Sequence, residues 1–289
     1  MKLGVVTPVV TRLPRAHAQW EETASIDEIA RVAVEAERLG YHHLTCSEHV
    51  ALPSEVVDTR GATYWDPLPT FGYIAARTTT IRLATHVLVL GYHHPLAIAK
   101  RYGTLDRVSG GRVILGVGVG SLREEFDLLG VPFEERGECA DDAIRALRAS
   151  LSQIEPVYQG AHYTYDGFVV DPCAVQPRVP IWVGGRTARS LRRAVELADG
   201  WAPFGLSRTE LADVIARAQD SAAWGTRAEP FELVLQNEHP FDPGAEADRV
   251  RDAATRLADA GATMLNVRVV HHSLDHYLEQ LAALRELIG

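Results

Sequence analysis

The sequence predicts an α/β fold: a closed (β/α)8 TIM barrel with an inserted hairpin or lid before strand five, spanning residues 1–289 as one domain. Three observations predict it. Strand-like and helix-like segments alternate eight times, no shift in composition marks a linker, and 289 residues suit a closed barrel. With 46% hydrophobic residues, the chain can bury a full core.

Residues 3–10, LGVVTPVV, read as strand one. Lys2, the apolar run and Ala16-His17-Ala18 resemble an export signal, but Pro8 interrupts the run and Arg12 and Arg15 follow it, so a strand is expected instead. Residues 25–39 read as a helix that opens on a Ser25-x-x-Glu28 capping box and closes at Gly40. HHLTC at 42–46 is strand two, residues 66–77 a helix, IRLATHVLVL at 81–90 strand three, and 95–108 a helix stopped by Gly110-Gly111. RVILGVG at 112–118 is strand four, followed by helices at 122–129 and 140–151.

The rhythm then breaks at residues 155–180, which are rich in aromatic residues, glycine and proline and read as a hairpin or lid. Tyr158, Tyr163, Tyr165 and Phe168 seek burial, and the expectation is that this segment closes over the barrel mouth. Strands five to eight follow at 180–185, 200–205, 231–239 and 263–270, with helices at 187–198, 208–222, 245–260 and 274–288.

Composition excludes several classes. A formal net charge of -9 and a pI near 5.7 offer no basic stripe to nucleic acid. No apolar stretch approaches the roughly 20 residues of a membrane helix. Cys46, Cys139 and Cys173 are few and widely spaced, which implies neither a disulfide framework nor a zinc cluster, and a reducing cytoplasm is expected. The only lysines, Lys2 and Lys100, lie in a strand start and a helix, so Schiff-base chemistry is not expected.

A barrel carries its chemistry at the C-terminal strand ends. Strand two ends in Ser47-Glu48-His49, strand four in GVGVG and Ser121, strand five in Gly184-Gly185-Arg186-Thr187, and strand eight in His271-His272. Strand three passes His86-Val87 before Tyr92-His93-His94. Twelve histidines raise a metal reading, but adjacent histidines on a strand point to opposite faces and strand one lacks the His-x-His of metal-dependent barrel hydrolases. No metal is expected. The two glycine runs each end a strand before a helix, where backbone N–H groups and a helix N-terminus can face an anion, or where glycine serves only the turn. Gly120, Ser121, Gly184, Gly185, Arg186 and Thr187 are the anion-site candidates. Asp106 and Arg112 read as structural and Cys46 as core, with His93, His94, Trp182, Trp201, Phe204 and His271 as candidate pocket walls.

Together SEHV, the run from Ile81 through TLDRVSGGR and GVGVG to Gly137, and PRVPIWVGGRTARSLRRAVELADGWAP resemble the bacterial luciferase-like monooxygenase superfamily, in its branch of coenzyme F420-dependent oxidoreductases. The resemblance implies that Glu48 contacts the cofactor, His49 stands nearest the reacting centre, a cis peptide at His86-Val87 backs the ring, and Gly184, Gly185 and Arg186 bind phosphate. Ser121 stands where the sugar-phosphate dehydrogenase branch has a glutamate proton donor, which speaks against that substrate. The expected activity is hydride transfer between reduced F420 and a small organic substrate, by a cytoplasmic homodimer. The alternatives are a monooxygenase that uses FMN from a partner reductase, and a non-catalytic barrel that binds the cofactor.

Overall fold

The computed structural model describes residues 1–14 and 16–289. Eight parallel strands form the sheet: β1 (Lys2–Val5), β2 (His43–Cys46), β3 (Arg82–Thr85), β4 (Val113–Gly118), β5 (Ile181–Gly184), β6 (Gly200–Ala202), β7 (Glu232–Gln236) and β8 (Met264–Val267). The sheet closes because β5 pairs with β4 on one side and β6 on the other, while β8 returns to β1. The major helix after each strand lies outside: α1 (Ile26–Arg38), α2 (Pro67–Ala75), α3 (Pro95–Ser109), α4 (Arg136–Ser150), α5 (Ala188–Leu197), α6 (Arg208–Gln219), α7 (Ala247–Asp259) and α8 (Leu274–Ile288). Each strand enters its helix across the C-terminal rim, so the loops that can carry chemistry gather at one end.

Local chemistry explains where the elements stop. Ser25 caps α1 by accepting from the N–H of Asp27, while Glu28 accepts from the N–H of Ser25, the reciprocal arrangement expected from the sequence. Gly110 ends α3 with φ +70°, a conformation that favours glycine. Arg112 is buried and spends its guanidinium on the carbonyls of Ala75, Thr78, Ile81 and Ser109, so it locks the turn into β4. Asp106 accepts from the N–H groups of Val113, Val175 and Gln176, tying the end of the insertion to the same turn. Both residues are structural, as the sequence suggests.

The barrel interior is filled by Ala84, Ile114, Trp182, Ala202, Val234 and Met264. His43 joins them from β2: its ring meets Trp182 edge-on at 5.0 Å and hydrogen-bonds Asn266 of β8. The ring occupies the space in front of Gly4, where a Cβ would come within 2.1 Å of it. Burial, followed by the charge of His42, pulls the His43 pKa down to about 3, so the ring stays neutral and serves packing. Trp182 and Trp201 are fully buried and belong to the core, which corrects their placement among the pocket walls.

The insertion is a hairpin but not a lid. Tyr158–Gln159 pairs antiparallel with Thr164–Tyr165. The hairpin lies on the outer face of α4, where Asp142 accepts from the Tyr158 hydroxyl and from the N–H groups of His162 and Tyr163. Tyr165 hydrogen-bonds Ser150 and the Ala146 carbonyl. Tyr165 is buried and Tyr158 and Tyr163 are half-buried on the barrel wall, whereas Phe168 stays exposed, against the expectation that it seeks burial, and no residue of 155–180 lines the mouth. The mouth is bordered instead by the loops after β1 and β2, which join through the antiparallel pair Thr11–Arg12 and Thr63–Tyr64.

Candidate active site

The C-terminal end of the barrel opens into a cavity of about 1090 Å³. The ten catalytic and cofactor-binding candidates from the sequence all line it: Glu48, His49, His86, Val87, Gly120, Ser121, Gly184, Gly185, Arg186 and Thr187. The fold thus brings strand ends two to five into one wall.

The floor is built by strand three against glycines. The His86–Val87 peptide is cis, at the position the resemblance implies. Beyond it, Leu88–Val89 leaves β3 and pairs with Val117 and Gly118 of β4. Side chains at Gly118 and Gly184 would come within 2.6 and 2.4 Å of the Val87 methyls. One at Gly116 would strike the Thr85 carbonyl oxygen at 1.9 Å, and one at Gly120 the Phe126 ring at 2.5 Å. These glycines make room for the strand-three bulge and for Phe126, and Gly120 and Gly184 also line the cavity. Gly185, with φ +123° and Ser190 close behind it, is required by its turn.

Glu48 and His49 leave β2 in opposite company. The Glu48 carboxylate accepts from the N–H of Val89 at 2.8 Å and contacts His93 Nε2 at 2.6 Å, which fastens the strand-three bulge to the end of strand two. His93 thus supports Glu48 from behind and does not itself line the cavity. His94 is exposed on the outside as the cap of α3, against Tyr163 and Tyr165.

His49 meets a residue that the sequence reading passed over. Its Nδ1 lies 2.8 Å from Glu125 Oε2, and Glu125 is buried. The same carboxylate accepts from the Tyr92 hydroxyl at 2.7 Å and from the N–H groups of Val50 at 2.5 Å and Ala51 at 3.2 Å. Burial works to raise the Glu125 pKa, but hydrogen bonds from His49, Tyr92 and Val50 outweigh it, and the carboxyl is held below its ordinary value. Burial, then the bond to Glu125, pushes the Tyr92 phenol up, so it remains a donor. An ionised Glu125 accepts only, which requires the proton on His49 Nδ1 and leaves Nε2 as the ring's exchangeable position. Nε2 has no partner among the described residues, and the ring stands edge-on to Tyr64 at 4.5 Å between centroids. A hint was present in the sequence: Leu122, Glu125 and Phe126 share one helical face, so a carboxylate sits in the apolar stripe of the short helix Arg123–Leu129.

The opposite rim is cationic. Arg186, Arg189 and Arg192 are exposed around the start of α5, and Arg136 reaches the cavity from the start of α4, stacked 3.7 Å from the Phe133 ring centroid. Arg193 is committed elsewhere, to Asp141 and to the Gly137 carbonyl. Thr187 caps α5 through Ser190. Ser121 is exposed and contacts Arg60. Phe204 and His271 line the cavity, His271 accepting from the Trp20 indole.

A family model described as luciferase-like monooxygenase matches residues 1–287. An uncharacterised protein of Mycobacterium bovis is 31% identical over 245 residues, covering 80% of this chain and 81% of its own. The F420-dependent glucose-6-phosphate dehydrogenase of Nakamurella multipartita is 30% identical over 181 residues, covering 60% of this chain and 51% of its own. Among solved structures, a monooxygenase from Streptomyces bottropensis superposes with a TM-score of 0.80 at 20% identity, over 100% of this chain and 98% of that one. The coenzyme F420-dependent tetrahydromethanopterin reductase from Methanopyrus kandleri superposes with a TM-score of 0.76 at 14% identity, over 99% and 98%. The chain belongs to the luciferase-like monooxygenase family.

Proposed function

We propose that the protein is an oxidoreductase that transfers hydride between the deazaflavin coenzyme F420 and a small organic substrate. The observation that carries this reading is the His49–Glu125 pair at the cavity wall. A hydride added to a carbonyl, or removed from an alcohol, must be matched by a proton at oxygen, and a histidine oriented by a buried carboxylate can give or take it. The F420-dependent relatives support the choice of cofactor.

The cavity suits such a group. Val87, seated on Gly118 and Gly184, offers a close-packed apolar floor to a ring system, and the exposed Arg186 and Arg189 with Thr187 offer an anionic end its counter-charge. When bound, the deazaflavin would supply or accept the hydride, because its carbon centre replaces the reactive flavin nitrogen. Glu48, held by His93 and Val89, would fix the bulge that carries His86 and Val87. His49 Nε2 would hold the proton, and Glu125 would keep that ring in one tautomer and orientation.

Binding titrations of the protein with F420 and with FMN, followed by an acceptor screen with the tighter one, test the reading. Tighter F420 binding and consumption of reduced F420 on addition of an acceptor are expected; tighter FMN binding with oxygen uptake would overturn it. The likeness in fold to the Streptomyces monooxygenase favours that second reading, an FMN-dependent oxygenase supplied by a partner reductase. A homodimer is proposed as the working unit, from the family resemblance and the exposed Val157, Phe168 and Val169 on the insertion. Sedimentation at twice the 31.7 kDa chain mass is expected, and a monomer would refute it.

A further inference from the structure

We propose that Glu135, Cys139 and His162 form a binding site for a borderline divalent cation of the zinc type, which clips the hairpin of the insertion to α4. One ligand atom from each side chain lies within 4.8 Å of the others. Cys139 Sγ and His162 Nδ1 are 3.3 Å apart, near the ~3.6 Å that sulfur and nitrogen ligands subtend at a tetrahedral zinc ion.

The supports of this triad are rigid. Glu135 and Cys139 stand one turn apart at the start of α4, joined by the Cys139 N–H to Glu135 carbonyl bond of 2.9 Å. His162 sits at the hairpin tip, and its N–H donates to Asp142 at 2.7 Å, one turn further along the same helix face. Glu138 and Asp142 add negative charge beside the thiol. A set of thiolate, imidazole and carboxylate selects zinc-like ions over magnesium or calcium, which prefer all-oxygen sites. Glu135 and His162 are exposed and Cys139 half-buried, so an ion and a completing water can enter. None of the three lines the barrel cavity, which makes this site separate from the proposed active site.

The test is titration of metal-free protein with Zn²⁺ against a chromophoric chelator. Expected are one ion per chain, affinity weakened about tenfold or more in Cys139→Ser and in His162→Ala, and, with Co²⁺, a near-ultraviolet thiolate charge-transfer band that Cys139→Ser abolishes. Thermal unfolding without metal should match wild type in both variants, since neither residue is in the core. Absence of stoichiometric binding, or affinity equal to wild type in either variant, would overturn the proposal, as would a cobalt complex without the thiolate band.

Discussion

The smallest unit that decides the chemistry is the hydrogen-bonded set around Glu125. One carboxylate takes donors from His49, Tyr92, Val50 and Ala51, so it orients an imidazole and anchors the backbone that follows it. This division of labour separates two substitutions. His49→Ala should leave cofactor affinity within a few-fold and lower kcat by ~10²–10⁴, the usual loss for a general acid or base. Glu125→Gln should lower kcat less, with KM nearly unchanged, because the ring remains but its Nδ1 partner is no longer an obligate acceptor. Single-turnover rates with preloaded cofactor measure both. Unchanged turnover in His49→Ala removes that residue from the mechanism, and a Glu125→Gln variant as fast as wild type removes the orienting role. His49 was legible in the sequence because it ends a strand beside Glu48. Glu125 was not, since an acidic residue in a first helical turn ordinarily complements the helix dipole, and only the fold buries it against His49.

At the scale of elements, short-range chemistry was legible and the choice of neighbour was not. The Ser25–Glu28 box, Gly40 and Gly110 mark helix ends from sequence alone, because each satisfies backbone groups within a few residues. The tyrosines of the insertion announce burial without naming the surface, and α4 supplies it rather than a cofactor. Hydrogen exchange across 158–165 should therefore be unchanged by F420; slowed exchange there would restore the lid. A second test concerns how α1 is fixed to β3. Glu37, near the C-terminal end of α1, accepts from the N–H groups of Thr79, Thr80 and Ile81. Burial pushes its pKa up, but those three N–H groups prevail and bring it down to about 2. A depressed carboxylate binds fewer protons folded than unfolded between its two pKa values, so its stabilisation is complete above about 4.5 and disappears as pH falls through about 2. Glu37→Gln should melt below wild type at neutral pH, and the gap should close as pH falls from about 4.5 toward about 2. A gap that is constant with pH would show that the charge contributes nothing.

For the whole molecule, alternation of strand and helix determines the barrel, because parallel strands need crossovers and eight of them close a sheet. What alternation does not encode is contact between distant segments. The Cys139–His162 approach and the join of Thr11–Arg12 to Thr63–Tyr64 depend on how loops of separate units fold back. The closed sheet also sets how a ligand at the mouth is felt. The cavity is lined by residues that follow every barrel strand, the loop after β6 contributing Phe204, so bound cofactor should stabilise the barrel as one cooperative unit. Ligand at a hundredfold excess over Kd adds about 2.7 kcal/mol. With an unfolding entropy of roughly 0.6 kcal/mol/K for 289 residues, Tm should rise by roughly 4 °C. Scanning calorimetry with F420, and with FMN at the same concentration, measures this directly. A single transition that moves upward, further with F420 than with FMN, is expected. Two transitions, only one of which moves, would show that the chain unfolds as separate units, and equal shifts for both ligands would remove the preference for the deazaflavin.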